Sequence, residues 1–302
     1  MLFNLQFPNR AAKFLDSFVG DGRFSDFGAI AEEGGLDSVS VYDHPFPPDE
    51  FVNIGGHLSL DPFVSLAALA ERTRRVKLMT NVLVVAYRSP YVAAHALASI
   101  DRLSGGRVIA GVAAGYLEGE FKALGAELEG RGQRLDDGLR AMQAAWTGTT
   151  VRRDGPFPVG GNTMFPPPVQ QPGPPLWIGG NSGPARRRAV ELGDGWIPMP
   201  SDEAEAAVNK STAISNVEVL AGQVAEVQRR RAELGKPPAA ICFSGFERST
   251  RDPRQAFEAL AENLAGYTEA GVTWLSVIPR ARTLDELQAE VAASAEIVLS
   301  RR

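Results

Sequence analysis

Short apolar runs alternate with longer amphipathic runs along the chain, and residues typical of turns separate them. Short β-branched runs between Gly and Pro turns are typical of buried parallel strands, and amphipathic runs are typical of the helices that cover them. This alternation predicts a parallel sheet with helices outside it. The predicted strands cover residues 2–7, 38–42, 76–85, 107–113, 176–179, 196–199, 241–246 and 273–278.

Eight strands, each followed by helix-forming sequence, predict an α/β fold of the (β/α)8 TIM-barrel type. A barrel of this kind typically needs ~250 residues, and a chain of 302 residues fits one domain spanning 1–302. The segment 148–175 is rich in Pro and Gly and interrupts the alternation. We interpret it as an insertion loop over the C-terminal face of the barrel, where such loops shape binding sites.

Composition excludes several classes of partner. The formal net charge of −5 does not favour nucleic acid, and no apolar run reaches the ~18 residues of a membrane span. The first residues lack the basic region of a signal peptide, so we expect a cytoplasmic protein. A single cysteine, Cys242, excludes an internal disulfide and is expected to be buried and inert. The three histidines are far apart and lack metal-ligand spacing, so we expect no metal site.

Asp43 and His44 come directly after the second predicted strand. Residues at the C-terminal ends of barrel strands face the catalytic side of this fold. A carboxylate beside an imidazole can fix its tautomer and supply a proton donor near neutral pH. The sequence D-H-P is also typical of a surface turn, so position alone leaves both interpretations open.

Small residues follow the fourth predicted strand. Ala113, Ala114 and Gly115 precede Tyr116, and larger side chains at the first three positions would fill the space where a planar ring could lie. This pattern is typical of a strand end that approaches a flat ligand. His57, in the loop 45–60, is a weaker candidate to overhang the same ring.

A glycine turn follows the fifth predicted strand. Gly179 and Gly180 end the strand, and Asn181 and Ser182 precede a helix with Pro184 in its first turn. Backbone amides at a helix start, together with the helix dipole, favour a phosphate. A Gly-Gly turn alone is weak evidence for such a site. The adjoining Arg186–Arg188 run is typical of a solvated helix face, although one of these residues could face an anionic group.

Five segments together resemble the bacterial luciferase-like superfamily of flavin- and deazaflavin-dependent oxidoreductases. They cover residues 61–83, 88–107, 111–125, 174–183 and 192–198, and the run A-S-I-D-R-L-S-G-G-R-V is the most specific of them. The resemblance implies a cofactor ring held at a non-prolyl cis peptide between Asn81 and Val82 and at the strand end Ala113–Tyr116. It further implies a cofactor phosphate beside Gly179–Ser182, and a catalytic His44 oriented by Asp43.

Within the superfamily, the Asp43-His44 pair is more similar to the branch that uses the deazaflavin coenzyme F420. The leading hypothesis is an oxidoreductase that transfers a hydride between F420 and a small organic substrate. An FMN-dependent monooxygenase using reduced flavin and oxygen is the alternative, and a non-catalytic flavin-binding barrel is a third. The resemblance also implies a homodimer, and a separate flavin or F420 reductase as supplier of reduced cofactor.

Overall fold

The computed structural model describes residues 1–8, 12–53, 55–56, 59–208, 211–247 and 252–301. Its strands are β1 (Leu2–Gln6), β2 (Ser38–Val41), β3 (Lys77–Val84), β4 (Val108–Ala113), β5 (Val151–Arg153), β6 (Val159–Asn162), β7 (Leu176–Gly179), β8 (Gly195–Ile197), β9 (Ala240–Phe243) and β10 (Trp274–Val277). Its helices are α1 (Ala12–Val19), α2 (Asp26–Glu33), α3 (Asp49–Asn53), α4 (Pro62–Arg72), α5 (Pro90–Ser104), α6 (Glu118–Ala123), α7 (Arg131–Trp146), α8 (Gly183–Glu191), α9 (Glu203–Val208), α10 (Val217–Glu233), α11 (Pro253–Glu269) and α12 (Leu284–Ile297).

Eight parallel strands close into a barrel in the order β1-β10-β9-β8-β7-β4-β3-β2. Each corresponds to a strand predicted from the sequence, so the predicted (β/α)8 fold is confirmed. The carboxyl ends of these strands define one open end of the barrel, called the mouth below. Side chains fill the interior, where Trp177 and Trp274 meet edge to face with ring centroids 5.3 Å apart. Cys242 lies in the same apolar cluster, and burial raises the pKa of its thiol to about 12, as expected of an inert residue.

The Pro- and Gly-rich segment 148–175 does not lie over the mouth, so its predicted position is wrong. It leaves the end of α7 and enters β7, which makes it a helix-to-strand connection that starts and ends at the opposite, N-terminal end of the barrel. Its antiparallel pair β5-β6 packs outside α5, where the Tyr91 hydroxyl donates to the Phe157 carbonyl at 2.7 Å. The buried Asp101 carboxylate then accepts the backbone N–H groups of Val169 and Gln170 at 2.8 and 2.9 Å.

Arg107 links the start of β4 to the end of α4. Its buried guanidinium donates to the carbonyl oxygens of Ala70, Thr73, Val76 and Ser104 at 2.8–3.0 Å. The last carbonyls of a helix have no partner within the helix, and a buried side-chain donor satisfies them. The specific A-S-I-D-R-L-S-G-G-R-V run thus has a structural basis: its aspartate holds the insertion and its last arginine caps α4.

Arg107→Ala should lower the free energy of unfolding by about 3 kcal/mol, because it leaves several buried carbonyl groups without a donor. Urea unfolding followed by circular dichroism measures the change. Arg140→Ala is the matched control, since Arg140 is exposed and makes a 3.6 Å ion pair with Asp137. Equal losses in the two variants would contradict the capping role.

Glu32 holds the loop that joins α4 to β3 by accepting hydrogen bonds from its backbone. Its carboxylate accepts the backbone N–H groups of Arg74, Arg75 and Val76 at 2.6–3.0 Å. Burial of the Glu32 carboxyl raises its pKa, but these hydrogen bonds outweigh burial and leave the pKa below its ordinary value of 4.5. The lowered pKa means that the folded state binds the proton less readily than the unfolded state does.

In Glu32→Gln the free energy of unfolding should therefore fall less steeply than in the wild type as the pH is lowered. A lowered folded-state pKa contributes stability above the unfolded-state value, and this stability is lost as the pH falls through the lower folded-state value. Urea unfolding at intervals between about pH 6 and pH 3 measures the loss. Glu33→Gln, at an exposed neighbouring position, should keep the wild-type slope. A Glu32→Gln profile parallel to wild type would refute the assignment.

Candidate active site

Asp43, two residues after the end of β2, is a buried carboxylate at the mouth. Its Oδ2 accepts the Val84 N–H at 2.8 Å, and its Oδ1 accepts Nη2 of Arg88 at 2.8 Å. Burial raises the pKa of Asp43, and the nearby Arg88 guanidinium opposes that rise. Both oxygens of Asp43 therefore bind the end of β3 and the segment after it. The orientation of His44 by Asp43 stays a prediction.

His44 is oriented by a residue that the sequence analysis missed. Its Nδ1 lies 3.1 Å from Oε2 of Glu120 in α6, and this carboxylate is fully buried. The Tyr87 hydroxyl donates to the same oxygen at 2.8 Å, and the Phe46 N–H donates to Oε1 at 3.1 Å. Burial raises the pKa of Glu120, but the hydrogen bonds from His44 and Tyr87 outweigh it, so the pKa is lowered. Glu120 is therefore an ionised acceptor at neutral pH.

Aromatic side chains surround the His44 imidazole. The ring centroid of Phe51, in α3, lies 4.9 Å from that of His44, and the Tyr116 ring meets His44 edge to face at 6.3 Å. Tyr116 is 50% exposed, so its ring also faces solvent at the mouth. Partial burial and the nearby Glu120 carboxylate raise the pKa of the Tyr116 hydroxyl, which keeps it protonated. His44 and Tyr116, assigned from separate strand ends, are thus brought together.

The middle of β3 forms a bulge at the predicted position. The pairing of β3 with β4 shifts register between Thr80 and Leu83, and the peptide bond between Asn81 and Val82 is cis. The Thr80 carbonyl comes so close to β4 that a Cβ on Gly111 would lie 2.1 Å from its oxygen. Only glycine fits at this position of β4, because any other side chain would collide with the backbone of the bulge.

Two strand ends carrying small side chains, those of β4 and β7, meet at the bulge. A Cβ added to Gly179, at the end of β7, would lie 2.8 Å from Cγ1 of Val82 and 3.6 Å from Cβ of Ala113. Ala114 and Gly115 continue from β4 with side chains no larger than a methyl group. The Gly115 carbonyl is fixed from outside by Nε of Arg131 at 2.9 Å. The group formed by Val82, Ala113 and Gly179 is called the cradle below.

The buried Asn181 side chain stabilises the loop after β7 by hydrogen bonds to the backbone of Met199. This side chain is buried, its Nδ2 donates to the Met199 carbonyl at 2.7 Å, and its Oδ1 accepts the Met199 N–H at 2.9 Å. Gly180 donates its N–H to the Ile197 carbonyl at 3.1 Å, and Ser182 Oγ caps α8 by accepting the Ala185 N–H at 3.3 Å. The Asn181 side chain therefore positions the loop, and the backbone that begins α8 is the part suited to an anion.

The arginines that open α8 have protein partners. Arg187 and Arg188 both pair with Asp136 of α7, and Nη1 of Arg186 donates to the Asn181 carbonyl at 2.6 Å. Two of the three side chains therefore attach α8 to α7, and the third stiffens the glycine turn. The possible contact of this run with an anionic group receives no support from these interactions.

The described residues were searched for a metal site and for a membrane-spanning helix. Among them, no group of three or more His, Cys, Asp and Glu side chains is arranged to hold a metal ion. No helix in the same part of the chain has the length and apolar character to cross a bilayer. The weaker candidate His57 lies outside the described residues.

The model of the luciferase-like monooxygenase family matches residues 22–293. The chain belongs to this family. It is 35% identical over 185 residues to an F420-dependent glucose-6-phosphate dehydrogenase of Nocardia farcinica, covering 59% of this chain and 53% of that protein. It is 29% identical over 202 residues to an FMNH2-dependent dimethylsulfone monooxygenase of Pseudomonas putida, covering 66% of this chain and 51% of that protein.

The chain spans about half the length of these curated relatives. Among solved structures, an F420-dependent secondary alcohol dehydrogenase in complex with an F420-acetone adduct superposes with a TM-score of 0.76. The sequences are 15% identical, and the superposition covers 100% of this chain and 99% of that one. At this identity the likeness supports the barrel fold.

Proposed function

We propose that this member of the luciferase-like family is an oxidoreductase that transfers a hydride between F420 and a small organic substrate. The observation that carries the proposal is the position of His44, a proton-transfer group held by a buried carboxylate beside small-residue strand ends at the mouth. Relatives named as F420-dependent dehydrogenases favour this cofactor over other ring systems.

The cradle fits a flat tricyclic ring. Val82 forms one wall, and the neighbouring side chains at Ala113 and Gly179 are no larger than a methyl group. Asn81, Ala114, Gly115 and Tyr116 complete the ring site in our proposal, and the turn Gly179–Ser182 holds the cofactor phosphate through the backbone at the start of α8. When bound, F420 supplies a two-electron hydride carrier.

His44 acts as the proton donor or acceptor in the proposed reaction. Removing a hydride from an alcohol carbon leaves a hydroxyl proton that a base must accept, and the reverse reaction needs an acid at the same oxygen. An imidazole can serve in both directions near neutral pH. Asp43 supports the site indirectly, because its carboxylate fixes the Arg88 side chain and the Val84 N–H.

The test is an anaerobic assay with F420 and a panel of small alcohols, hydroxy compounds and sugar phosphates. We expect at least one substrate to reduce F420 with loss of its absorbance, and we expect FMN not to replace it. Turnover of reduced FMN with oxygen, without any F420 reduction, would reject the proposal.

An FMN-dependent monooxygenase is the second candidate, and the observation that favours it is the Pseudomonas putida relative named as such. The cradle is equally suited to an isoalloxazine ring. Oxygen consumption with reduced FMN distinguishes this candidate, and it would also require the separate reductase. A barrel that binds the cofactor without turnover in either assay would correspond to the non-catalytic alternative.

We further propose a homodimer in the cytoplasm. Exposed apolar side chains occur on neighbouring outer elements: Val64 of α4, Val92 and Leu103 of α5, and Phe165 of the insertion are each more than half exposed. Exposed apolar surface of this kind is typical of protein interfaces. Sedimentation equilibrium should give twice the chain mass of 32.3 kDa, and a monomer at micromolar concentration would contradict the assembly.

A further inference from the structure

The Glu120 carboxylate joins two parts of the mouth that are separate in sequence. Its Oε2 faces His44 Nδ1 and the Tyr87 hydroxyl, and its Oε1 accepts the N–H of Phe46. Phe46 belongs to the segment 45–53, which continues into α3 and places the Phe51 ring against His44. One buried side chain therefore contacts both the imidazole and the segment that covers it.

The chemistry of this carboxylate dictates the tautomer of His44. An ionised carboxylate has only acceptors, so the ring nitrogen facing it must carry a hydrogen. Nδ1 is thus the protonated nitrogen of the neutral imidazole, and Nε2 carries the lone pair. Nε2 is then the nitrogen that can accept a proton from a substrate hydroxyl.

The covering segment depends on the same side chain and its helix. Beyond the Phe46 hydrogen bond, Pro48 packs on Gly119, where an added Cβ would lie only 2.6 Å from Cγ of Pro48. At the other end of the loop, the His44 N–H donates to Ser59 Oγ at 3.1 Å. The segment therefore lies on α6 at the residue that holds His44.

We propose that Glu120 is a positioning residue that couples the tautomer of His44 to the docking of segment 45–53. The proposal deepens the assignment of His44 as the proton-transfer group and rests on it for its consequence in catalysis. The coupling itself concerns the free protein and requires no cofactor.

Replacement by the isosteric amide exposes the coupling. Glutamine has one acceptor and one donor group where Glu120 has two acceptors. If its oxygen faces His44 Nδ1, its NH₂ group faces the Phe46 N–H, and two donors repel each other. If its oxygen faces Phe46, its NH₂ group faces Nδ1, and His44 must then move its hydrogen to Nε2. Glu120→Gln cannot preserve both the tautomer and the docked segment.

The first test is nitrogen-15 NMR of the histidine side chains together with hydrogen exchange of the Phe46 amide, on the full-length protein without cofactor. In the wild type we expect the Nδ1–H tautomer and a protected Phe46 amide. In Glu120→Gln we expect the tautomer to shift toward Nε2–H, or exchange at Phe46 to rise at least about tenfold. Wild-type behaviour of both groups in this variant would overturn the proposal.

Two further variants separate positioning from general damage. Glu118→Gln removes an exposed carboxylate from the same helix and should leave both signals unchanged. Tyr87→Phe retains the carboxylate and should keep the Nδ1–H tautomer, so a shift there equal to that in Glu120→Gln would also overturn the proposal.

If Glu120→Gln does not fold, Phe46→Pro tests the coupling from the other side, because proline removes the N–H that occupies Oε1. In Phe46→Pro we expect the nitrogen-15 spectrum of His44 to show more exchange between the Nδ1–H and Nε2–H tautomers than in the wild type. An unaltered His44 spectrum in this variant would overturn the coupling.

The kinetic consequence is tested separately. With a substrate in hand, Glu120→Gln should lower kcat about 10- to 100-fold and leave the Kd of F420 within about threefold, because Glu120 acts through His44. Altered NMR signals without any F420-dependent turnover in the wild type would reject the proposed reaction and leave the coupling intact. Unaltered NMR signals in Glu120→Gln, together with F420-dependent turnover in the wild type, would reject the coupling and leave the proposed reaction intact.

Discussion

His44→Ala should lower kcat for hydride transfer by about 10²- to 10³-fold, the usual range for loss of a positioned general acid–base group. The imidazole contacts Glu120 on one side and the Phe51 and Tyr116 rings on the other, and the proposed function makes it the proton-transfer group at the substrate. The Kd of F420 should stay within about threefold of wild type, since the cradle lies on other strand ends. Single-turnover F420 reduction under saturating substrate measures the change.

His95→Ala is the matched control for this experiment. His95 lies on α5 and is exposed to solvent, so its loss should leave kcat within about twofold of wild type. Equal kcat values in the two variants would contradict a catalytic role for His44. Loss of cofactor binding in His44→Ala would instead assign the residue to the ring site.

Gly179→Leu should weaken cofactor binding by roughly 5- to 150-fold while leaving the barrel folded. The added side chain starts 2.8 Å from Val82 and must extend from β7 toward the space that the ring is proposed to occupy. Overfilling a packed site costs about 1–3 kcal/mol, which corresponds to a rise of roughly 5- to 150-fold in Kd. Fluorescence titration with F420 measures the Kd, and circular dichroism verifies the fold.

Gly222→Leu controls for the bulk of the new side chain. Gly222 is exposed in α10, and an added Cβ there meets no atom within 4 Å. Its Kd for F420 should equal that of wild type. If Gly179→Leu binds F420 as tightly as the control while both are folded, the ring does not lie against the end of β7.

The barrel could be predicted because its determinants are local. Each strand is a short buried run, and helix starts such as Asp61-Pro62 and Ser182-Gly183-Pro184 have capping chemistry that can be read in sequence. The elements missed were α1, α3, α9 and the β5-β6 pair. Apart from α1, these are pieces of three to six residues, too short for hydrophobic periodicity to specify them.

The misplaced insertion has a topological cause. Segment 148–175 follows a helix, and in a parallel barrel the chain leaves each helix at the N-terminal end of the strands. Its Pro and Gly content suggested a substrate loop, but composition does not specify which end of the barrel a connection occupies. The segment attaches at Asp101, whose carboxylate accepts hydrogen bonds from Val169 and Gln170, and these residues are far from Asp101 in sequence.

The candidate site could be predicted only in part, for a similar reason. Asp43, His44 and the small residues of β4 stand at strand ends, which the sequence reveals. Glu120 reaches His44 across 76 residues of sequence, and its place in the acidic first turn of α6 suggested only a helix start. The partner that fixes a tautomer depends on how β2 and α6 meet in space, and no local pattern encodes that meeting.

The most direct measurement of the central claim is a titration of the purified apoprotein with F420 and, separately, with FMN, followed by cofactor fluorescence. We predict micromolar or tighter binding of F420 and binding of FMN at least about tenfold weaker, a difference of 1.4 kcal/mol. The reverse preference would contradict the assignment and direct the search to oxygen-dependent chemistry with a partner reductase. Binding of neither cofactor would contradict the cradle itself.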